Sequence, residues 1–246
     1  MLNKIAKKED LKRIESFFKD IRFYMGKSVL QETMGDAFVD DINNPKFAIL
    51  KVKKYCFISG DVEKETLKNI IDESFKDCII IPSDNLIKPI EKIYADSIVK
   101  KLRYSIKKDV DFDVPKLEEL ANSLQGKYEL VKINEKLGDR IKSERFINIT
   151  DDYENYGIGY CCMHNNEIIG VASSNIFYKD GIEVNIRVKE EYRRQGIATA
   201  MAASLILECL RKNKEVSWDA SNLNSLGLAK KLGFEYDSAY STYRFE

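Results

Sequence analysis

The chain of 246 residues has one histidine, one tryptophan and four prolines, and its five cysteines never take the C-x-x-C spacing. With His164 alone and Cys161-Cys162 adjacent, a zinc or dithiol redox centre has too few ligands at the right spacing. The thiols Cys56, Cys78, Cys161, Cys162 and Cys209 read as reduced packing residues at apolar positions, as expected of a cytoplasmic protein. No apolar run approaches the roughly 20 residues that cross a bilayer. Met1–Lys8 lacks the apolar stretch of a secretory leader. There is no excess of charge either: 40 basic side chains face 40 acidic ones. That balance gives no general attraction to nucleic acid or an anionic membrane, so neither is expected as a partner. Two phosphate-binding signatures are also missing. Without G-x-x-x-x-G-K-[ST] a P-loop is excluded, and without G-x-G-x-x-G after a strand a nicotinamide-type site has no support.

What is present is a large apolar fraction, 44%, enough for one large core or two small ones. Leu11, Ile14, Phe17, Phe18, Ile21 and Met25 recur at helical spacing. Phe47–Val52 and Tyr55–Ser59 read as a hairpin. A helix is expected from about Val62 to Phe75, then a buried strand at Cys78–Pro82, a helix carrying Ile87, Ile90 and Ile93, and a strand near Leu102–Ile106. The segment Lys107–Gln125 is the boundary candidate. In it, Asp113-Val114-Pro115 starts a short helix that Gly126 can end. Beyond it come a strand at Tyr128–Ile133, a polar stretch with short helices, and strands at Gly157–Met163 and Ile168–Tyr178 around the Asn165-Asn166 turn. A third strand follows at Ile182–Val188. The clearest helix runs from Gln195 to about Asn213, with Ala198, Met201, Ala202, Leu205, Ile206 and Cys209 on helical spacing. A strand at Glu215–Trp218, a helix around Ser221–Lys231 and two strands near Phe234–Tyr236 and Tyr240–Phe245 complete the chain. Both halves run hairpin, helix, strand, helix, strand, which suggests an internal duplication.

The segment Val188-Lys189-Glu190-Glu191-Tyr192-Arg193-Arg194-Gln195-Gly196-Ile197-Ala198 joins a strand to the strongest helix. Physically it is an anion cradle. The first N–H groups of a helix have no internal acceptor, and the helix dipole adds partial positive charge there. Gly196 lets a phosphate approach the backbone with no Cβ in the way, and Arg193 and Arg194 add full charge.

The R-x-x-G-x-A pattern in this strand–loop–helix setting resembles the pyrophosphate-binding motif [QR]-x-x-G-x-[GA] of the GNAT superfamily of acyl-CoA N-acyltransferases. Val216-Ser217-Trp218-Asp219-Ala220-Ser221-Asn222, leading to Leu228-Ala229-Lys230-Lys231-Leu232-Gly233-Phe234, is similar to a bacterial GNAT subfamily with a degenerate GNAT-like half in front of a working one. Tyr55–Asp61 and Leu102–Ser105 resemble its first half. The resemblance is specific over residues 157–246 and looser before them.

It implies an α+β (α/β) protein, with a mixed, largely antiparallel, splayed sheet flanked by helices in the GNAT fold and built as two GNAT-like halves. The implied domains are 1–108 as the degenerate half, 109–126 as a connecting helix and 127–246 as the acetyltransferase domain. Acetyl-CoA is the implied co-substrate, with no metal. The implied acceptor is a primary amine that attacks the thioester directly, a small molecule ahead of a protein amine, in a monomer or homodimer. The backbone of Ile186, Arg187 and Val188 would hold the pantetheine arm. Arg193, Arg194, Gln195, Gly196, Ile197, Ala198 and Thr199 would hold the pyrophosphate, and Asn222 and Ser225 stand where the family contacts the cofactor. Glu183 is the candidate base. Its register against the family's glutamate is set only to within one residue, and one residue decides the sheet face. Where many members carry the tyrosine that protonates the leaving thiolate, this chain has Ala229, so Tyr236, Tyr240 and Tyr243, or solvent, become the candidate acids.

Plainer roles stand beside these. Glu183 could be a strand-end surface carboxylate, Arg193 and Arg194 solvated charge, and Asn222 a helix cap. His164 reads as a turn residue and Trp218 as core. Arg103-Tyr104 has no role that the sequence supplies. The rival to an enzyme is a GNAT-fold module that binds acyl-CoA without turnover.

Overall fold

The computed structural model describes residues 2–19, 24–107, 110–124, 126–150 and 153–245. Ile21, Lys108, Asp109 and Gln125, singled out above, lie outside the described residues. The chain divides into two compact units: Met1–Arg103 together with Ala239–Glu246, and Tyr104–Ser238.

The first unit opens with β1 (Asn3–Lys4), α1 (Lys8–Ile14), a 3-10 turn at Glu15–Phe18 and α2 (Tyr24–Leu30). It continues with β2 (Asp36–Val39), β3 (Phe47–Val52), β4 (Tyr55–Gly60), α3 (Lys64–Ser74), β5 (Ile79–Pro82), α4 (Asp84–Tyr94) and β6 (Ile98–Ile106). The β3–β4 hairpin turns on Lys53, at φ 50°. β5 then joins β4 in parallel, a pairing that needs the crossover helix α3. Ile49, Cys56, Ile58, Leu67, Ile71, Ile80 and Ile90 close over one another in its core.

The second unit holds α5 (Val114–Asn122), β7 (Glu129–Lys132), α6 (Glu135–Ser143), α7 (Tyr153–Tyr156), β8 (Gly159–His164), β9 (Glu167–Tyr178) and β10 (Gly181–Val188). After these come α8 (Ile197–Arg211), β11 (Glu215–Ser217), α9 (Leu223–Lys231) and the first three residues of β12 (Tyr236–Phe245). Asp113 caps α5 through the Lys116 amide, as Asp-x-Pro leads one to expect. Asn165 and Asn166 both take positive φ in the tight β8–β9 turn. Five strands form the sheet in the order β11-β10-β9-β8-β7.

α8 is buried almost all round, from Ile197 to Cys209. On one side it lies on the sheet, where Gly170 of β9 permits close approach: a Cβ there would stand 2.8 Å from the Met201 methyl carbon. On the other side its small residues Ala202 and Ala203 admit Leu117 of α5. Each fully buried Leu or Ile in this layer contributes about 1.5–3 kcal/mol of transfer free energy.

The C-terminal strand departs from expectation. Phe234–Tyr236 and Tyr240–Phe245 do not form two strands; β12 is a single strand, and its residues from Ala239 onward belong to the first unit. There Tyr243 pairs with Ile80, and the seven-stranded sheet runs β1-β2-β3-β4-β5-β12-β6. Strand β1, ahead of the first helix, and strand β2, in the polar stretch around Gly35 and Asn43-Asn44-Pro45, were not legible in the sequence. Both are short, four residues or fewer, with β1 at the edge of the sheet and β2 next to it.

Candidate functional site

β10 carries two different faces. Val184 and Ile186 join the apolar cluster under α8. By strand alternation Glu183, Asn185 and Arg187 face the other way. Asn185 Nδ2 donates to the Asn148 carbonyl at 3.0 Å, and Arg187 Nη1 donates to the Phe146 carbonyl at 2.7 Å. The strand thus presents a polar stripe toward the 146–148 segment and an apolar one toward the helix.

β11 is parallel to β10 but matches it only at Gly181, Ile182 and Glu183. β10 runs on for five more residues, to Val188, and among the described residues no strand pairs with that stretch on the β11 side. The Lys189 amide donates to the Ile169 carbonyl of β9 at 2.9 Å. Alternation therefore turns the backbone groups of Val184, Ile186 and Val188 toward the open edge. At the point of divergence the β9–β10 register shifts between Glu183 and Val184, where β9 carries one extra residue between Ser174 and Ile176. The first unit treats its equivalent pair differently. β4 and β5 match over Tyr55–Ile58, the Ser83 amide donates to Ile58, and the next outward carbonyl, on Gly60, accepts from Asn85 Nδ2 at 3.0 Å. The connection from β4 to α3 there carries Asp61 and Glu63, the wrong sign for an anion.

β10 leads through a 3-10 turn at Glu190–Tyr192 into the helix start. Arg194 has φ 60° and Gly196 φ 84°, so the turn has left-handed residues on both sides of Gln195. Such alternation gathers successive amides into one concavity, an anion nest. No side chain caps α8. A Cβ on Gly196 would meet only the Leu124 Cδ2 at 3.8 Å, so glycine is required by its φ and the space before it is open. Arg193 Nε donates to the Val188 carbonyl at 3.3 Å, and its guanidinium lies 3.8 Å from Glu190. Arg194 is exposed, while Ile197 and Thr199 are buried and Ala198 is half-buried at the first turn. Gln195 is turned aside: its Oε1 accepts from the Tyr128 hydroxyl at 2.6 Å and from Lys127 Nζ at 3.1 Å.

Asn222 and Ser225 form one unit at the start of α9. The Asn222 side chain accepts the Ser225 amide at 2.9 Å, and Trp218 Nε1 donates to Ser225 Oγ at 3.1 Å. Because β10 and β11 are parallel, α8 and α9 both begin beyond the carboxyl ends of their strands, the usual ligand-binding side of such an arrangement.

Glu183 is no surface carboxylate: it is 6% exposed, and its Oε1 accepts the Asp219 amide at 2.7 Å. Ala229 is fully buried in the α8–α9 cluster. Tyr236 is exposed in the second unit, with Lys230 over its ring. Tyr240 and Tyr243 belong to the first unit. There Tyr243 is buried and donates to Glu91 at 2.7 Å; burial first, and Glu91 second, push its pKa up to about 12. The structure therefore gathers 186–199 into one strand–loop–helix and pairs Asn222 with Ser225, while the tyrosines are divided between units. Sequence reasoning missed Asp219, Tyr128 and Asn185. Only Asn185 left a local signal, its alternation with apolar neighbours; Tyr128 reaches Gln195 across 67 positions.

With this geometry in view, the family profile of GNAT acetyltransferases matches residues 15–243. The chain belongs to the GNAT acetyltransferase family. GNAT members are acyltransferases, and the splayed strand pair with its nest lies in the half that carries the R-x-x-G-x-A motif. The chain is similar to a GCN5-related N-acetyltransferase-like protein of Streptococcus suis, at 32% identity and TM-score 0.88, over 98% of this chain and all of that one. It is 30% identical over 102 residues to a Bacillus subtilis protein described as an uncharacterized N-acetyltransferase, YdfB; this span is 41% of the chain and 39% of that relative's length. A tandem GNAT protein from the clavulanic acid biosynthesis pathway shares the fold over 99% of the chain, at 10% identity and TM-score 0.52. The two units are two GNAT-like halves. Among the described residues no helix is long and apolar enough to cross a membrane, and no cluster of three or more His, Cys, Asp or Glu side chains could hold a metal.

Proposed function

We propose that this GNAT protein transfers an acetyl group from acetyl-CoA to a primary amine of a small molecule, using the second half alone. The observation that carries the proposal is the open edge of β10, which ends at a nest of amides with no side-chain cap. The first half differs: its strand pair is closed by Asn85, and its helix start, though also without a side-chain cap, is approached by acidic residues. Acetyl-CoA supplies the thioester carbonyl, and coenzyme A is the thiol that leaves.

The outward backbone groups of Ile186 and Val188 pair with the pantetheine amides as an added strand would, and one of their N–H groups polarises the carbonyl. Arg187 lies between them on the opposite face. The diphosphate lies over the amides from Arg193 to Thr199, with the Arg193 and Arg194 side chains beside it. Asn222 and Ser225 border the opening from α9. Glu183 takes the proton that the amine loses as its nitrogen bonds to the carbonyl carbon and the carbon–sulfur bond breaks. Its buried carboxylate stands at the narrow end of the splay, on the polar face of β10. The departing thiolate takes a proton from Tyr236 or solvent. Tyr243 is the less suited donor, since Glu91 and burial hold its proton.

A thiol-release assay with acetyl-CoA against a panel of small amines and peptides tests this. Turnover with a small amine supports it. Binding of coenzyme A with no release across the panel would favour the rival, a sensor of acyl-CoA without turnover. The fully buried Ala229, in place of the usual tyrosine, is the observation on that side.

A further inference from the structure

The conformation of the nest is not explained by the loop itself. Arg194 holds φ 60°, a region that a non-glycine residue keeps only when its surroundings fix it. No side chain caps the helix that follows. The restraint comes from the segment between α5 and β7. Tyr128 donates its hydroxyl to Gln195 Oε1 at 2.6 Å, Lys127 Nζ donates to the same oxygen at 3.1 Å, and Gln195 Nε2 donates to the Glu191 carbonyl at 3.3 Å. The Tyr128 ring meets Tyr192 of the preceding turn edge-on at 6.2 Å, and Leu124 stands over Gly196. Gln195 is thereby held back from the concavity, and the two left-handed residues stay on either side of it.

We infer that Tyr128 is a positioning residue for coenzyme A: through Gln195 it fixes the backbone that receives the diphosphate, without touching the ligand. This rests on the proposed acyl-CoA site. It assigns to the segment between α5 and β7 a part in cofactor affinity that no motif in that segment announces.

The test uses the full chain and measures coenzyme A affinity by titration calorimetry for wild type, Tyr128→Phe, Gln195→Ala and the double variant. Tyr128→Phe keeps the ring contacts and removes only the hydroxyl. One lost neutral hydrogen bond corresponds to roughly a three- to tenfold rise in Kd. KM for acetyl-CoA should rise in step, with kcat unchanged. The double variant should bind no worse than Gln195→Ala alone, because both act through one contact. Wild-type binding with Tyr128→Phe within twofold of it, or additive losses in the double variant, overturns the inference. Failure of the wild type itself to bind coenzyme A removes the underlying site instead, so the two failures are told apart.

Discussion

Glu183 and Asp219 meet where two parallel strands part. The Glu183 carboxylate, on β10, accepts the amide of Asp219, two residues past the end of β11, at 2.7 Å. One residue farther along β10 the register against β9 shifts and the edge opens. The proposed base is thus also a brace, and two substitutions separate the two parts. Glu183→Gln keeps an oxygen for Asp219 and removes the charge; kcat should fall by about 100-fold or more with KM for acetyl-CoA nearly unchanged. Glu183→Ala also strands a buried amide and should lower stability by about 1–3 kcal/mol in denaturant unfolding. A Gln variant with wild-type kcat would leave the carboxylate only its bracing part.

Gly196→Glu should abolish coenzyme A binding while far-UV circular dichroism remains native. The side chain would enter open space, where a carboxylate repels the diphosphate, and φ 84° disfavours any non-glycine residue. Retained micromolar affinity in that variant would remove the nest from the site.

The five cysteines should be silent toward Ellman's reagent in the native protein and react fully in denaturant. All are buried, and burial is the first cause that raises each thiol: Cys162 to about 11, Cys161 and Cys209 to about 12. Thiolate, the reactive form, is thus scarce at neutral pH. A fast-reacting native thiol would contradict the packing of these positions. The same silence keeps the background of a thiol-release assay low.

Glu208 of α8 carries a testable pH dependence. Its pKa is lowered, first by the hydrogen bond from Lys132 Nζ at 2.6 Å. A carboxylate with a depressed folded value stabilises above its ordinary value of 4.5 and loses that contribution as pH falls through the folded value. The Tm gap between wild type and Glu208→Gln should therefore be widest above pH 4.5 and shrink in acid. A gap that is constant with pH would rule out the ion pair as its source.

Local order determined what the sequence could announce. The apolar spacing of Ala198–Cys209, the Asp113 cap, the Asn165-Asn166 turn and the R-x-x-G-x-A loop depend on neighbours within one turn or one pleat, so they were legible before any folding. The features that make the site a site depend on partners far along the chain. The sequence placed Glu183 near a strand start but not against Asp219, 36 positions on. It marked Gly196 but not the Tyr128–Gln195 clasp across 67 positions. It read the last strand as two, because nothing local says that residues from Ala239 onward complete the first unit's sheet. Side-chain periodicity encodes which face is buried; which backbone edge is left without a partner is decided only when the strands assemble.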